Sequence, residues 1–212
     1  CGYVENIVAE LKGESELKKI ALMAHYDSVP TSVGAGDDGM AVAAMLETAR
    51  ALLTHKVRAR SVILLFTDGE EVGLLGAEAF FADAPEAENV DIVLNYEGSG
   101  TRGVSRLLRT SESNSALIAA FGRSAKPAIG NSLSNEIFKR MPNDTDFSVV
   151  QRHGISGLDF AFAEERSHYH TQNDNLSNIS LATLQHHGNN MLPLVLELMQ
   201  SPAPIQAPEK SV

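Results

Sequence analysis

Side chains that can bind a divalent cation recur in this sequence where an apolar segment gives way to a polar one. Imidazole nitrogens and carboxylate oxygens together form the mixed ligand set that suits zinc or a similar ion. A carboxylate beside such an ion could also act as a general base toward water. The candidates, in chain order, are His25, Asp27, Asp37, Asp38, Glu70, Glu71, Glu97, His168 and His170.

Each of these residues, taken alone, also has an ordinary structural explanation. Asp38 is interpreted as the N-cap of the helix that follows it, a role that aspartate favours. A lone histidine such as His25 at a strand end is more often a core residue than a ligand, and Glu70-Glu71 could be a solvated pair. Ligand-type residues at four strand ends are nevertheless hard to explain by chance. The whole pattern therefore indicates one shared metal site.

Apolar runs and loosely alternating segments predict the strands that would bring these residues together. The predicted strands span residues 4–11, 19–25, 61–67, 90–96, 105–110 and 157–162. Apolar residues at helical spacing predict helices at residues 38–53, 74–81, 114–123, 146–152 and 180–199. Strands that alternate with helices are typical of an α/β domain with a mostly parallel sheet covered on both faces. Ligands bind such sheets at the carboxyl ends of the strands, where the candidates collect.

Five segments of the chain resemble, in order, the motifs of the di-zinc peptidases of the aminopeptidase Y and bacterial leucyl aminopeptidase type. That family includes endoplasmic-reticulum metallopeptidases, glutamate carboxypeptidase II and the glutaminyl cyclases. The resemblance extends from about residue 4 to residue 198, and five ordered motifs are far more specific than any one of them. The motifs read HYDS at 25–28, GAGDDG at 34–39, DGEEVGLLG at 68–76, NYEG at 95–98 and YHT at 169–171.

The resemblance implies both a fold and a metal site. The fold would be a three-layer α/β/α sandwich of the zinc-exopeptidase (phosphorylase/hydrolase-like) type, with a central, mostly parallel mixed sheet. The site would hold two Zn²⁺ ions per chain. One ion would be bound by His25 and Glu97 and the other by Glu71 and His170, with Asp37 bridging them.

Roles in catalysis follow from the same resemblance. Glu70 would be the general base that activates a metal-bound hydroxide, and Tyr169 would donate a hydrogen bond to the oxyanion. Asp27 would fix the ring of His25, as partners of metal ligands commonly do. Many relatives have Asp where this chain has Glu97, whereas the endoplasmic-reticulum and vacuolar type has Glu. This difference favours the endoplasmic-reticulum metallopeptidase-like subgroup.

A weaker resemblance covers residues 141–147, which line the substrate site in relatives of the membrane-anchored type. Asp144 in this segment could orient a substrate amine or cap a helix, and the two interpretations carry equal weight. Asp174, which follows the last motif, could support a ligand from a distance. A turn-capping role is favoured for it.

The predicted function is that of a zinc-dependent exopeptidase, and an aminopeptidase acting on the N-terminal residues of peptide substrates is favoured. A glutaminyl cyclase is the first alternative. Relatives with that activity place Trp beside the last zinc ligand, whereas this chain has Tyr169 there and contains no Trp. The second alternative is a non-catalytic ectodomain with the peptidase fold that binds a partner. The presence of Glu70 argues against it, because a binding module has no need of a general base.

Composition restricts the partners and the location of the protein. The 212 residues include 17 basic and 27 acidic ones, and the net charge of −10 argues against nucleic-acid binding. Cys1 is the single cysteine, so no disulfide can form within the chain. Residues 1–200 are predicted to form the catalytic domain and residues 201–212 a linker or disordered tail. Because family members have upstream elements that this chain lacks, we expect a longer, extracytoplasmic parent protein (periplasmic, secreted or lumenal), which could be membrane-anchored.

Overall fold

A six-stranded mixed sheet forms the centre of the computed structural model, which describes residues 2–55, 59–138 and 144–200. The strands are β1 (Ile7–Leu11), β2 (Lys19–His25), β3 (Val62–Thr67), β4 (Val90–Gly98), β5 (Arg106–Thr110) and β6 (Ser156–Phe162). Their order in the sheet is β1-β3-β2-β4-β6-β5. The four inner strands are parallel to one another, and the two edge strands, β1 and β5, are antiparallel to their neighbours.

Helices cover both faces of this sheet. In the described part of the chain they are α1 (Met40–Leu53), α2 (Leu75–Asp83), α3 (Ser115–Ser124), α4 (Ser132–Phe138), α5 (Phe147–Arg152) and α6 (Leu181–Met199). Because side chains alternate between the faces of a strand, Leu22 packs in one core with Met45 of α1, whereas Met23 packs in the other core with Phe80 of α2. Helices α3 and α6 contribute to the first core and α5 to the second. The predicted three-layer α/β/α fold with a mostly parallel sheet is confirmed.

Most element boundaries agree with the sequence prediction to within a few residues, and the strand at residues 19–25 is confirmed without change. Helix α4 lies in a region for which the sequence predicts no element, part of which (139–143) lies outside the described residues. The predicted tail at residues 201–212 also lies outside them. Within the described ranges, none of the helices combines the length and the apolar character needed to cross a bilayer.

Two differences from the prediction bear on the candidate site. Strand β4 continues to Gly98, so Glu97 lies inside the strand and not after it. Helix α1 begins at Met40, because a π-helical turn (Ala35–Gly39) comes before it. Asp38 sits in this turn with non-helical angles (φ −124°, ψ 31°), and its buried carboxylate makes no hydrogen bond within the described ranges. The prediction that Asp38 is the helix N-cap is wrong, because its side chain is buried beside His25 and Glu97 instead.

Candidate metal centre

The candidate ligands from the sequence motifs lie together at one edge of the sheet. His25 is the last residue of β2, and Glu97 is the penultimate residue of β4. Glu71 lies in the turn after β3, and His170 lies in the loop after β6. Because the four inner strands are parallel, these positions meet at the carboxyl edge of the sheet. Asp37 lies beside them in the turn before α1.

Asp37 lies between two pairs of candidate ligands. Its Oδ1 is 3.1 Å from Nε2 of His25, and the same nitrogen is 3.5 Å from Oε2 of Glu97. Its Oδ2 is 3.2 Å from Nε2 of His170, which is 3.1 Å from Oε2 of Glu71. Each oxygen of one carboxylate therefore faces a different histidine, which is the arrangement that a bridging ligand requires.

The charges of the cluster favour a bound cation. Burial, with the charge of Glu97, raises the pKa of Glu70 to about 10, and burial, with the charge of Asp37, raises the pKa of Glu71 to about 7. Among the described residues, Asp37, Glu71 and Glu97 form ion pairs only with the two histidines. Several adjacent carboxylates remain ionised together only when a positive charge compensates them.

Unpaired polar atoms give an independent test of the fit to a metal. Both carboxylate oxygens of Asp38 and Oε1 of Glu71 are buried without a hydrogen-bond partner among the residues that the structure describes, an arrangement that costs stability unless another ligand satisfies them. In the described part of the chain, nitrogen and oxygen donors lie within 4.8 Å of one another in two groups. One group contains His25, Asp38 and Glu97, and the other contains Asp37, Glu71 and His170. Both donor sets suit zinc, so the residues present fit two ions.

His168 contacts a different partner from the other candidates. Its Nδ1 is 2.9 Å from Oγ1 of Thr101, and it belongs to neither group of donors. This histidine therefore links the loop after β6 to the loop after β4.

Asp27 connects the metal ligands to the turn that carries Glu70. Its carboxylate accepts hydrogen bonds from the main-chain N–H groups of Glu70 (3.0 Å) and Glu71 (3.2 Å). Nδ1 of His25 is 3.0 Å from the main-chain oxygen of Asp27 and 3.5 Å from its carboxylate. The main-chain carbonyl of Asp27 is therefore the nearer partner of the imidazole, and its carboxylate orients the Glu70-Glu71 turn.

A cavity of about 430 Å³ opens beside the cluster. Glu70, Glu71 and His170 line it together with Tyr169, whose ring stacks on that of His170 with the ring centres 3.7 Å apart. Burial and the nearby carboxylates hold the pKa of the Tyr169 hydroxyl above its usual range, which keeps it a hydrogen-bond donor. Asp144 lies on the wall of the same cavity.

Asp146 is a buried acid beside the site that the sequence interpretation passed over. Its side chain is 1% exposed, and its Oδ2 accepts a hydrogen bond of 2.5 Å from Oγ1 of Thr67, the last residue of β3. Burial raises its pKa to about 7, to which the charge of Glu97 contributes. Asp146 belongs to the weak motif at residues 141–147, of which the sequence interpretation considered only Asp144 as a functional residue.

Asp174 supports the bridging residue from the other side. It is fully buried, and its carboxylate accepts hydrogen bonds from the main-chain N–H groups of Gly36 (2.5 Å) and Asp37 (3.1 Å). A side chain at Gly36 would meet the carbonyl oxygen of Gly100 at 2.2 Å, so only glycine fits there. Asp174 therefore caps a turn, as favoured, but that turn is the one at Ala35–Gly39, 138 residues away along the chain, and not a turn in its own loop. The loop after β6 thus supplies His170 and also holds the backbone of Asp37.

Comparisons with known proteins agree with this geometry. The model of the family described as Peptidase family M28 matches residues 6–195 of the chain. The chain is 38% identical over 199 residues to the vacuolar membrane protease of Eremothecium gossypii, a match that covers 91% of this chain and 19% of that protein. The chain therefore spans about a fifth of the length of this curated relative.

Two solved structures share the fold at lower identity. A zinc aminopeptidase from Bacillus subtilis superposes with a TM-score of 0.75 and 22% identity, over 95% of this chain and 52% of that one. A glutaminyl cyclase from Porphyromonas gingivalis superposes with a TM-score of 0.73 and 23% identity, over 92% of this chain and 78% of that one. At this identity the likeness is one of fold.

Proposed function

This chain belongs to peptidase family M28, and on that premise we propose that it is a zinc-dependent aminopeptidase domain that removes N-terminal residues from peptides. The position of Asp37 carries this proposal, since its two oxygens lie 3.1 and 3.2 Å from histidines of two separate ligand pairs. His25 and Glu97 would hold one ion, and Glu71 and His170 the other. Bound there, two zinc ions would supply Lewis-acid polarisation of the scissile carbonyl and lower the pKa of a water molecule.

Glu70 is the residue that moves the proton in this proposal. Its neighbour Glu71 points toward His170, whereas Glu70 lines the cavity and makes no ion pair with either histidine in the described part of the chain. A general base must be ionised to accept a proton. Positive charge bound by the adjacent ligands would lower the pKa of Glu70 toward the working range. Glu70 then takes the proton of the attacking water and returns it to the leaving amine.

The charge of the cavity supports recognition of an amino terminus over a carboxyl terminus. Three of its wall residues, Glu70, Glu71 and Asp144, are acidic. Among the described residues that line it, the one arginine is Arg152, which pairs with Glu78 outside the cavity. With Glu71 binding an ion and Glu70 acting as the base, Asp144 is the wall carboxylate that can pair with the ammonium group of a substrate.

Glutaminyl cyclase is the second candidate, because a solved enzyme of that name shares the fold. In that reaction the substrate's own amine attacks its side-chain amide, so no water is deprotonated. Two features of this chain favour the peptidase. Both ligand pairs are complete around Asp37, and the chain has no Trp to clamp a glutamine side chain. A non-catalytic binding ectodomain is the third candidate, and the buried cluster around Glu70 speaks against it.

The curated relative supports a proposal about the parent protein. It is named as a vacuolar membrane protease, and it is about five times as long as the matched segment. We infer that this chain is the lumenal or otherwise extracytoplasmic domain of a membrane-anchored protein that acts on peptides. Glu97, which the resemblance associates with the endoplasmic-reticulum and vacuolar type, agrees with this assignment.

Mass spectrometry of a peptide that begins with Gln separates the three candidates. With zinc-loaded protein, we expect loss of the whole first residue, and we expect N-acetylation of the peptide to abolish the reaction because it removes the ammonium group. Loss of ammonia with the chain length unchanged would instead identify a cyclase, in which the amine is the nucleophile. No change in any unblocked peptide would favour the binding ectodomain.

The Tyr169→Phe protein tests the proposed oxyanion donor. We expect kcat to fall by about 10²- to 10³-fold, the usual cost of losing one such donor, while zinc content stays the same. Tyr26→Phe is a matched control, because Tyr26 also adjoins a candidate ligand but its hydroxyl donates to the main-chain oxygen of Glu5. Steady-state kinetics that show only a higher KM for Tyr169→Phe would contradict the role.

A further inference from the structure

A network of buried side-chain hydrogen bonds connects the candidate ligand Glu97 to Arg109. The side-chain amide of Asn95 donates to Oε1 of Glu97 (3.1 Å) and to Oδ1 of Asp159 (3.0 Å). Oδ2 of Asp159 accepts from Nε of Arg109 at 2.8 Å. Asn95 and Asp159 are fully buried, and Arg109 is 5% exposed. The bond from Asn95 occupies one oxygen of Glu97, and its other oxygen faces His25.

These hydrogen bonds end on the segment 144–148, whose residue Asp144 lines the cavity beside the candidate metal centre. Nη1 of Arg109 donates to Oγ of Ser148 at 2.9 Å, and Nη2 donates to Oγ1 of Thr145 at 2.5 Å. Nη1 also lies 3.9 Å from Oδ1 of Asp144, which lines the cavity. Within the described part of the chain, the three guanidinium nitrogens thus reach acceptors on two separate segments, a geometry that suits the rigid, planar fork of arginine.

We propose that Arg109 is a positioning residue. It holds the segment 144–148 directly and the metal ligand Glu97 through Asp159 and Asn95, and so keeps the two at a fixed distance from each other. The segment would carry the acidic group that meets the substrate amine, and Glu97 would present a single oxygen to the ion. One side chain thus sets the spacing between substrate and metal. The kinetic part of this inference rests on the proposed aminopeptidase function, whereas its zinc-binding part does not.

Replacing Arg109 by Lys tests the coupling, because lysine keeps the charge but has a single donor group. We expect zinc affinity, measured by competition with a chromophoric chelator, to fall by about tenfold, as loss of a ligand's supporting partner commonly does. We also expect KM for an aminoacyl anilide to rise more than kcat falls, because the wall segment loses its anchor.

Arg60→Lys is a matched control. Arg60 is also fully buried and pairs with an aspartate, since its Nη2 is 2.6 Å from both oxygens of Asp91. It differs in position, because it precedes β3 and so lies at the amino-terminal ends of the parallel strands, whereas the candidate metal centre lies at their carboxyl ends. We expect this change to lower the melting temperature without altering zinc affinity or KM. If Arg109→Lys behaves in the same way as the control, the proposal is overturned.

A double-mutant cycle with Asn95→Ala tests the route of the coupling, because residues that act through one another give non-additive effects. In the Asn95→Ala background, Arg109→Lys should leave zinc affinity unchanged and still raise KM. Additive losses of zinc affinity would overturn the route through Asn95.

Two further measurements keep the proposal open to refutation. If Arg109→Lys fails to fold, Ser148→Ala removes a single acceptor at the cavity end, and an unchanged KM for that folded protein would overturn the proposal. If the wild-type protein hydrolyses no peptide, the proposed function fails, and the zinc titrations of Arg109→Lys and Arg60→Lys still decide whether Arg109 supports Glu97.

Discussion

Glu70→Gln protein is expected to hydrolyse unblocked peptides about 10²- to 10⁴-fold more slowly than the wild type, the range that a general base contributes. Glutamine keeps the shape of the side chain but cannot accept the proton of the attacking water. The fold of the turn is preserved, because Asp27 holds it through the main-chain N–H of Glu70 and not through the side chain. Zinc content, measured by elemental analysis, should therefore match that of the wild type.

Glu71→Gln provides the contrast for this experiment. Its Oε2 lies 3.1 Å from Nε2 of His170, in the group of donors that would hold one of the ions. This variant should lose activity together with about half of its zinc, whereas Glu70→Gln should lose activity alone. A Glu70→Gln protein with near wild-type turnover would show that another group is the base, and Asp146, buried near Glu97, would be the next residue to test.

Removal of zinc by a chelator is expected to abolish hydrolysis and to lower the melting temperature substantially. The unpaired buried oxygens of Asp38 and Glu71 and the raised pKa values of Glu70 and Glu71 indicate that the cluster is unfavourable without a cation. A ligand present at 1,000 times its Kd stabilises the native state by about 4 kcal/mol. For a chain of this size, that corresponds to a shift of about 8–16 °C.

Differential scanning fluorimetry of the chelated protein, with and without added zinc, measures this shift. His25→Ala serves as the control, because it removes a donor from one group and leaves the group around Glu71 intact. Its zinc-dependent shift should be smaller than that of the wild type, and its zinc content should be reduced. A wild-type melting temperature that does not respond to zinc would contradict the assignment of these residues as ligands.

The elements of the fold were largely readable from the sequence, because each is encoded locally. Residues 20–24 are apolar without interruption, which predicts a strand buried on both faces, and β2 is such a strand. The order of the strands in the sheet, in contrast, is not encoded locally. Strand β1 lies beside β3, and β5 lies beside β6, through contacts between residues distant in the chain. Local periodicity carries no information about these neighbours.

Errors at the candidate site arose where a local interpretation competed with a distant contact. Asp38 precedes a helix and so fits the pattern of an N-cap, but burial against His25 and Glu97 decides its environment. For Asp174 the predicted turn-capping role holds, but the turn that its carboxylate caps is the distant one that contains Gly36. No motif contains Arg109, and its hydrogen-bond partners among the described residues lie 36–50 residues away along the chain.

The sequence by itself determined the α/β class and the family, together with a set of metal-binding residue types placed at the ends of strands. It did so because strand periodicity is local and because five ordered motifs identify a family. Only the tertiary structure decided which donors meet around Asp37 and which buried partners hold them in place. Parallel pairing brings the strand ends together, and burial then forces each polar atom to find a partner among residues that are remote in the chain.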